Sequence, residues 1–256
     1  MAYGLGLKYP DRNPLELPAA TLPTLDYRTL DYTYLDIMAP IEDQGQTGDC
    51  WVYSVCGIFE AYHFRRTGNP LVVSKPGVWY LAKTHFEAND FADDGGYPSD
   101  TIRTLEGVGY VDDVWEPSDQ RTPVPVIDIR RDFMAKGIVS VPTSIDGVVL
   151  AGHAHGPVAI CVNWPSAWYT ASPVDANGVL VPLNGSTDSV GGHAICALAH
   201  RPAGALYPGS PSATLIRNSW STAWGGGAHA QPGYAWARDE DLAAILIDGN
   251  VCMQVA

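Results

Sequence analysis

The pattern of apolar residues changes character once along this chain, near residue 118, and that change limits the folds open to it. Before it, Val52, Val55, Cys56, Phe59 and His63 recur at i, i+3, i+4, i+7 and i+11, the period of one helix face. The spacing predicts a helix from near Cys50 to the Gly68-Asn69-Pro70 stop, where a glycine and a proline end helices. Two more helices are expected, over Lys75–Ala88 and over 99–107. After residue 118 the chain breaks into short β-branched or apolar runs at Ile138–Val141, Val158–Val162, Val179–Val181, His193–Ala199, Thr214–Asn218 and Gly233–Ala237. Asn177-Gly178, Asn184-Gly185, Gly191-Gly192 and Pro208-Gly209 punctuate them, which predicts an antiparallel, barrel-like sheet. Residues 144–155 read as one helix inside that half. Helices first and strands afterwards give an α+β fold in two segregated halves, with a cleft between them as the natural place for a site.

Composition narrows the function. A chain of 256 residues with 46% hydrophobic and 17% charged residues suits one large globular unit. The net charge of −13 argues against nucleic acid or an anionic membrane as partner. Five cysteines without CxxC spacing form neither a disulfide framework nor a zinc pattern, so no metal or other cofactor is expected. Met1–Pro23 lacks the charge and apolar pattern of a signal peptide, and no apolar run approaches the roughly 20 residues of a membrane span. A cytoplasmic or other reducing compartment and a monomer are the expectations.

Three stretches carry the chemistry. Cys50 follows the turn Gln44-Gly45-Gln46-Thr47-Gly48-Asp49 and opens the first helix. There unpaired backbone N–H groups and the helix dipole favour thiolate, with Asp49 as a candidate N-cap. A cysteine beside Trp51 is also ordinary core filling. Among seven histidines, His193 stands apart, after Gly191-Gly192 at the mouth of an apolar strand, although a histidine at a strand start is commonly structural. Asn218 ends another apolar strand before Ser219-Trp220 and Trp224. Its amide could fix an imidazole tautomer while an indole keeps water away, or it could be a turn residue beside core tryptophans.

Together Gln44-Gly45-x-x-Gly48-x-Cys50-Trp51, Gly192-His193-Ala194 and Asn218-Ser219-Trp220-x-x-x-Trp224-Gly225 resemble the papain-like cysteine peptidases. Gly95-Gly96-Tyr97-Pro98 looks like the glycine pair of that family's substrate cleft. The resemblance runs in the family's order from about residue 22 to the end. His193 follows Cys50 within the roughly 130–150 residues expected. It implies a papain-like two-lobed domain over 22–256, with a mainly helical lobe over 22–118 and a mainly β lobe over 119–256. It implies Cys50 as nucleophile, His193 as its ion-pair partner, Asn218 as the group orienting His193, and Gln44 with the Cys50 N–H as oxyanion hole. Trp220 would shield the Asn218–His193 bond and Trp224 would border the leaving-group side. Gly48, Gly95, Gly96 and Gly192 would offer backbone to an extended peptide or unfolded protein substrate, and Cys161 and Ala194 would line an apolar pocket. Departures are Thr47 in place of a disulfide cysteine, Asp49 beside the nucleophile, and Ser221 and Ala223 in place of glycines. The expected activity is cysteine endopeptidase, through an acyl-enzyme. Transpeptidation, deamidation or isopeptide cleavage by the same triad, or a peptide-binding pseudoenzyme, are the competing readings. Residues 1–21, rich in proline and leucine, read as an extended arm that either lies across the cleft and restrains activity or straps the back of the fold.

Overall fold

The helix that opens at Cys50 runs to Thr67 (α1) and is buried on every side from Cys50 to Tyr62. The single apolar stripe expected from the sequence is therefore only part of its buried surface: α1 is a central helix, packed by helices on one side and by strands on the other. Gly68 ends it in the left-handed region at φ 72°, its N–H on the Phe64 carbonyl, a geometry glycine adopts without a Cβ penalty. The computed structural model describes residues 4–8, 22–92, 95–113, 115, 121–170 and 172–253. Residues 1–3 and 9–21 of the expected arm lie outside the described residues.

Helix α2 (Lys75–Phe86) starts where the Ser74 hydroxyl accepts from the Gly77 N–H, and α4 (Ile145–His155) starts the same way at Ser144 and Gly147. The third helix is shorter than 99–107: α3 spans Pro98–Arg103 and then widens into a π-turn at Thr104–Val108. Helix α5 (Asp239–Ile245) is an addition to the expected set.

The strands, in order, are β1 (Tyr32–Thr33), β2 (Tyr110–Val111), β3 (Ile129–Arg130), β4 (Ile138–Ser140), β5 (Val158–Pro165), β6 (Ser189–Arg201), β7 (Ala213–Arg217), β8 (Gly225–Gly227), β9 (Ala230–Pro232), β10 (Tyr234–Arg238) and β11 (Leu246–Cys252). The main sheet is antiparallel in the order β10-β7-β6-β5-β11-β4, with β1 added to β6. It is α+β as expected, but the sheet stays open between β10 and β4 rather than closing into a barrel. The Val179–Val181 run forms isolated bridges, Val174–Leu180 and Val179–Trp236, in place of a strand.

Two cores result. One fills the β lobe around Trp164, Trp168, Trp220 and Trp224, and the other surrounds α1 with Trp51, Phe59 and Trp79. All five cysteines are buried and carry free thiols. Among the described residues, no helix is long and apolar enough to cross a membrane, and no His/Cys/Asp/Glu cluster could hold a metal ion.

Candidate active site

Cys50 begins α1, His193 sits in β6 opposite Val162 of β5, and Asn218 directly follows β7. Adjacent strands β6 and β7 thus bring the last two together. His193 Nε2 lies 2.8 Å from Asn218 Oδ1, which also accepts the Ser219 N–H at 2.8 Å. An amide oxygen only accepts, so Nε2 carries the ring proton and Nδ1 keeps its lone pair. Nδ1 is buried and has no hydrogen-bond partner among the described residues.

Aromatic rings box the imidazole in. Trp220 stacks on it, with centroids 4.6 Å apart and planes 29° apart, and Trp164 meets it edge-on at 4.8 Å and 75°. Trp224 stands 6.2 Å from Trp220 and 6.0 Å from Trp164, inside the tryptophan core. Trp164 closes β5's apolar run, and nothing in its local sequence marks it as a neighbour of His193.

The Gln44 side chain is held at both ends. Its Oε1 accepts from the Ser219 hydroxyl at 2.5 Å, and its Nε2 donates to the Thr47 carbonyl at 2.7 Å. Its backbone N–H bonds the Ser219 carbonyl. Asp49 precedes the helix, but its carboxylate accepts the Thr47 hydroxyl at 2.6 Å and makes no cap bond to the helix.

Residues 4–8 cross this site. The Gly4 N–H bonds the Gly45 carbonyl at 3.2 Å, and the Gly4 carbonyl accepts from Gln44 Nε2 at 3.3 Å. Gly6 and Lys8 exchange backbone bonds with Gly96 at 2.8 and 3.0 Å, and Leu7 N–H reaches the Gly192 carbonyl at 3.3 Å. The segment runs parallel to the chain at Gly96 and ties the helical lobe to the β lobe. Leu7 packs on Cys50, Cys161 and Ala194 beside Ile247, and Leu5 packs on the tryptophan core. Lys8 lies 3.6 Å from Glu87, which also holds the buried Lys83 at 2.8 Å.

The arm approaches the nucleophile's turn without space for side chains. A Cβ on Gly6 would stand 1.8 Å from the Gly48 carbonyl oxygen, and one on Gly4 1.8 Å from that of Thr47. A Cβ on Gly95 would meet the Gly6 carbonyl at 2.1 Å, and one on Gly192 the Leu7 carbonyl at 2.9 Å. Gly96 has a different reason to be glycine: a Cβ there would strike the Trp51 indole at 2.4 Å.

Under this cover Cys50 and His193 are wholly buried. Burial pushes the Cys50 thiol up to about 12, against backbone N–H groups of Ala194, Gly6 and Trp51 that favour thiolate, and Asp49 adds to the rise. Burial takes His193 down to about 4, against the Asn218 hydrogen bond. Burial under the arm thus disfavours the charged form of each group, thiolate and imidazolium alike.

A family model described as "Papain family cysteine protease" matches residues 23–240. A "Cathepsin L-like peptidase" of Aedes aegypti is 24% identical over 77% of this chain and 56% of its own length. "Cathepsin K" of Gallus gallus is 24% identical over 86% of this chain and 64% of its own. The chain thus spans a little over half the length of these curated relatives. A digestive procathepsin L2 proteinase from Tenebrio molitor larval midgut superposes with a TM-score of 0.73 at 19% identity, over 98% of this chain and 78% of that one. The two-lobed fold has the same form as in that structure, and by the family match the chain belongs to the papain family of cysteine proteases.

Proposed function

We propose that this chain hydrolyses peptide bonds with Cys50 as nucleophile and His193 as its proton partner, and that residues 4–8 hold it closed. The observation that carries the reading is the His193–Asn218 bond, which turns the imidazole lone pair away from the amide and leaves it for a proton from sulfur. Once the arm lifts and water returns, the Ala194 and Trp51 N–H groups directed at Sγ and the free Nδ1 favour the charged pair. The thiolate attacks the substrate carbonyl, and His193 then protonates the leaving amine. Gln44 Nε2 and the Cys50 N–H receive the developing oxyanion. Gln44 is suited to this because Ser219 fixes its amide beforehand. Leu7's seat against Cys161 and Ala194 favours an apolar side chain in the pocket beside the scissile bond.

The arm occupies the site with its backbone. Its Gly6 N–H is directed at the sulfur, and its Gly4 carbonyl oxygen accepts from Gln44 Nε2.

The test is a peptide-library digest with products read by mass spectrometry, comparing the full chain, a chain lacking residues 1–20 and Cys50→Ala. Hydrolysed products that rise on deletion and vanish in Cys50→Ala are expected. Transfer or deamidation products would move the reading to those reactions. Binding without turnover in a folded, uncovered chain would refute the peptidase. Unchanged kinetics after deletion would refute the restraint.

A further inference from the structure

Four charged side chains that take no part in the reaction meet beneath the loop leading to Gln44. The Lys75 ammonium lies 2.7 Å from the Glu42 carboxylate and 2.5 Å from that of Glu60. Arg217 Nη2 donates to the Pro40 carbonyl at 2.5 Å and to that of Ala39 at 3.4 Å, and stands 3.4 Å from Glu42. Lys75, Glu60 and Arg217 are buried, whereas Glu42 is 22% exposed at its side chain. The four come from separate elements: Lys75 opens α2, Glu60 lies within α1, Arg217 ends β7 next to Asn218, and Glu42 stands two positions before Gln44.

Glu42 is one of the points at which the loop is fastened, beside the Gln44 N–H on the Ser219 carbonyl and Arg217 on the Pro40 carbonyl. It receives both cations, and its carbonyl accepts the Ser221 N–H at 3.1 Å. Lys75 keeps Glu60 and Arg217 keeps two carbonyls if Glu42 loses its charge, so no buried ion is stranded. What is lost is the ionic clamp on the Glu42 side chain, one of the loop's ties to the body of the protein and the one two positions from Gln44. An oxyanion donor works by standing in place before charge develops, and a displacement of about 1 Å can cost 10²-fold.

We infer that Glu42 is a positioning residue for Gln44, clamped from α2 by Lys75 and from β7 by Arg217. The inference rests on the reading of Gln44 as oxyanion donor given above.

Two rates on the full-length chain separate the possibilities: hydrolysis of a fluorogenic peptide amide and alkylation of Cys50 by iodoacetamide. Alkylation forms an S–C bond and expels iodide, so no oxyanion arises and Gln44 is not needed. Both rates require the arm to lift, and their ratio cancels that step. Gln44→Ala should lower the ratio of hydrolysis to alkylation by about 10²–10³. Glu42→Gln should lower it by about tenfold or more, in kcat with KM little changed, and should add nothing in a Gln44→Ala background. If Gln44→Ala leaves the ratio intact, the oxyanion reading is at fault. If Gln44→Ala lowers it but Glu42→Gln does not, or if Glu42→Gln compounds with Gln44→Ala, the positioning role is overturned.

Discussion

Gly6 is the residue on which the covered state turns. A methyl group there meets the Gly48 carbonyl oxygen, and relieving such overpacking costs about 1–3 kcal/mol. Gly6→Ala should therefore raise the uncovered population, with Cys50 alkylation by iodoacetamide about tenfold to a hundredfold faster at pH 7 by intact-mass readout. An unchanged rate would place the arm elsewhere in solution. On the β side, Asn218→Ala removes the acceptor that sets the His193 tautomer. It should lower kcat about 10- to 100-fold, and a variant with wild-type kcat would deny Asn218 that role. Cys50, His193 and Asn218 were legible as candidates because they sit at a helix start, a strand mouth and a strand end, while Gln44 became a candidate only through the family resemblance. Leu7, Glu42, Lys75, Trp164 and Arg217 were not legible. Their neighbours come from distant parts of the chain, and the residues around them carry no mark of that company.

At the scale of elements, α1 joins the two lobes and is buried all round from Cys50 to Tyr62. Truncating Phe59, which no solvent reaches, should cost about 3–5 kcal/mol in urea unfolding, and a loss under 1 kcal/mol would contradict a central position for this helix. Its start and stop could be read from Asp49-Cys50 and Gly68. Its all-round burial could not, because periodicity reports one face and not what packs on the other. Strand β11 was illegible for a different reason: Asp248-Gly249-Asn250 has the composition of a turn, yet pairing with β5 and β4 holds it extended. The arm is held by few contacts. Ordering its five described residues costs about 5–10 kcal/mol. Five hydrogen bonds at about 1 kcal/mol each and two partly buried leucines at about half the 1.5–3 kcal/mol of full burial each offset that to within a few kcal/mol. Docking is accordingly reversible, and single changes can shift it.

For the whole molecule, stability depends on pH. The covered site holds His193 near 4, whereas an imidazole in the unfolded chain titrates near 6.5. Between those values the unfolded chain binds more protons, so stability against unfolding falls as pH drops from about 6.5 towards 4. Cys50 acts at the other end of the scale. With its thiol held near 12 under the arm, raising the pH through the ordinary thiol range near 8.5 favours the unfolded chain. The urea midpoint of the full chain should therefore be highest near neutral pH and fall from pH 7 to pH 4.5. A flat midpoint across that range would contradict the linkage.

The most direct test of Cys50 as a nucleophile silenced by its own N-terminal arm is the pH profile of its alkylation by iodoacetamide, in the full chain and in a folded chain lacking residues 1–8. The shortened chain should react with a rate plateau well below pH 8, the mark of a thiolate paired with imidazolium, while the full chain reacts slowly throughout the neutral range. Superimposable profiles, or an ordinary thiol profile rising near 8.5 in the shortened chain, would contradict the account.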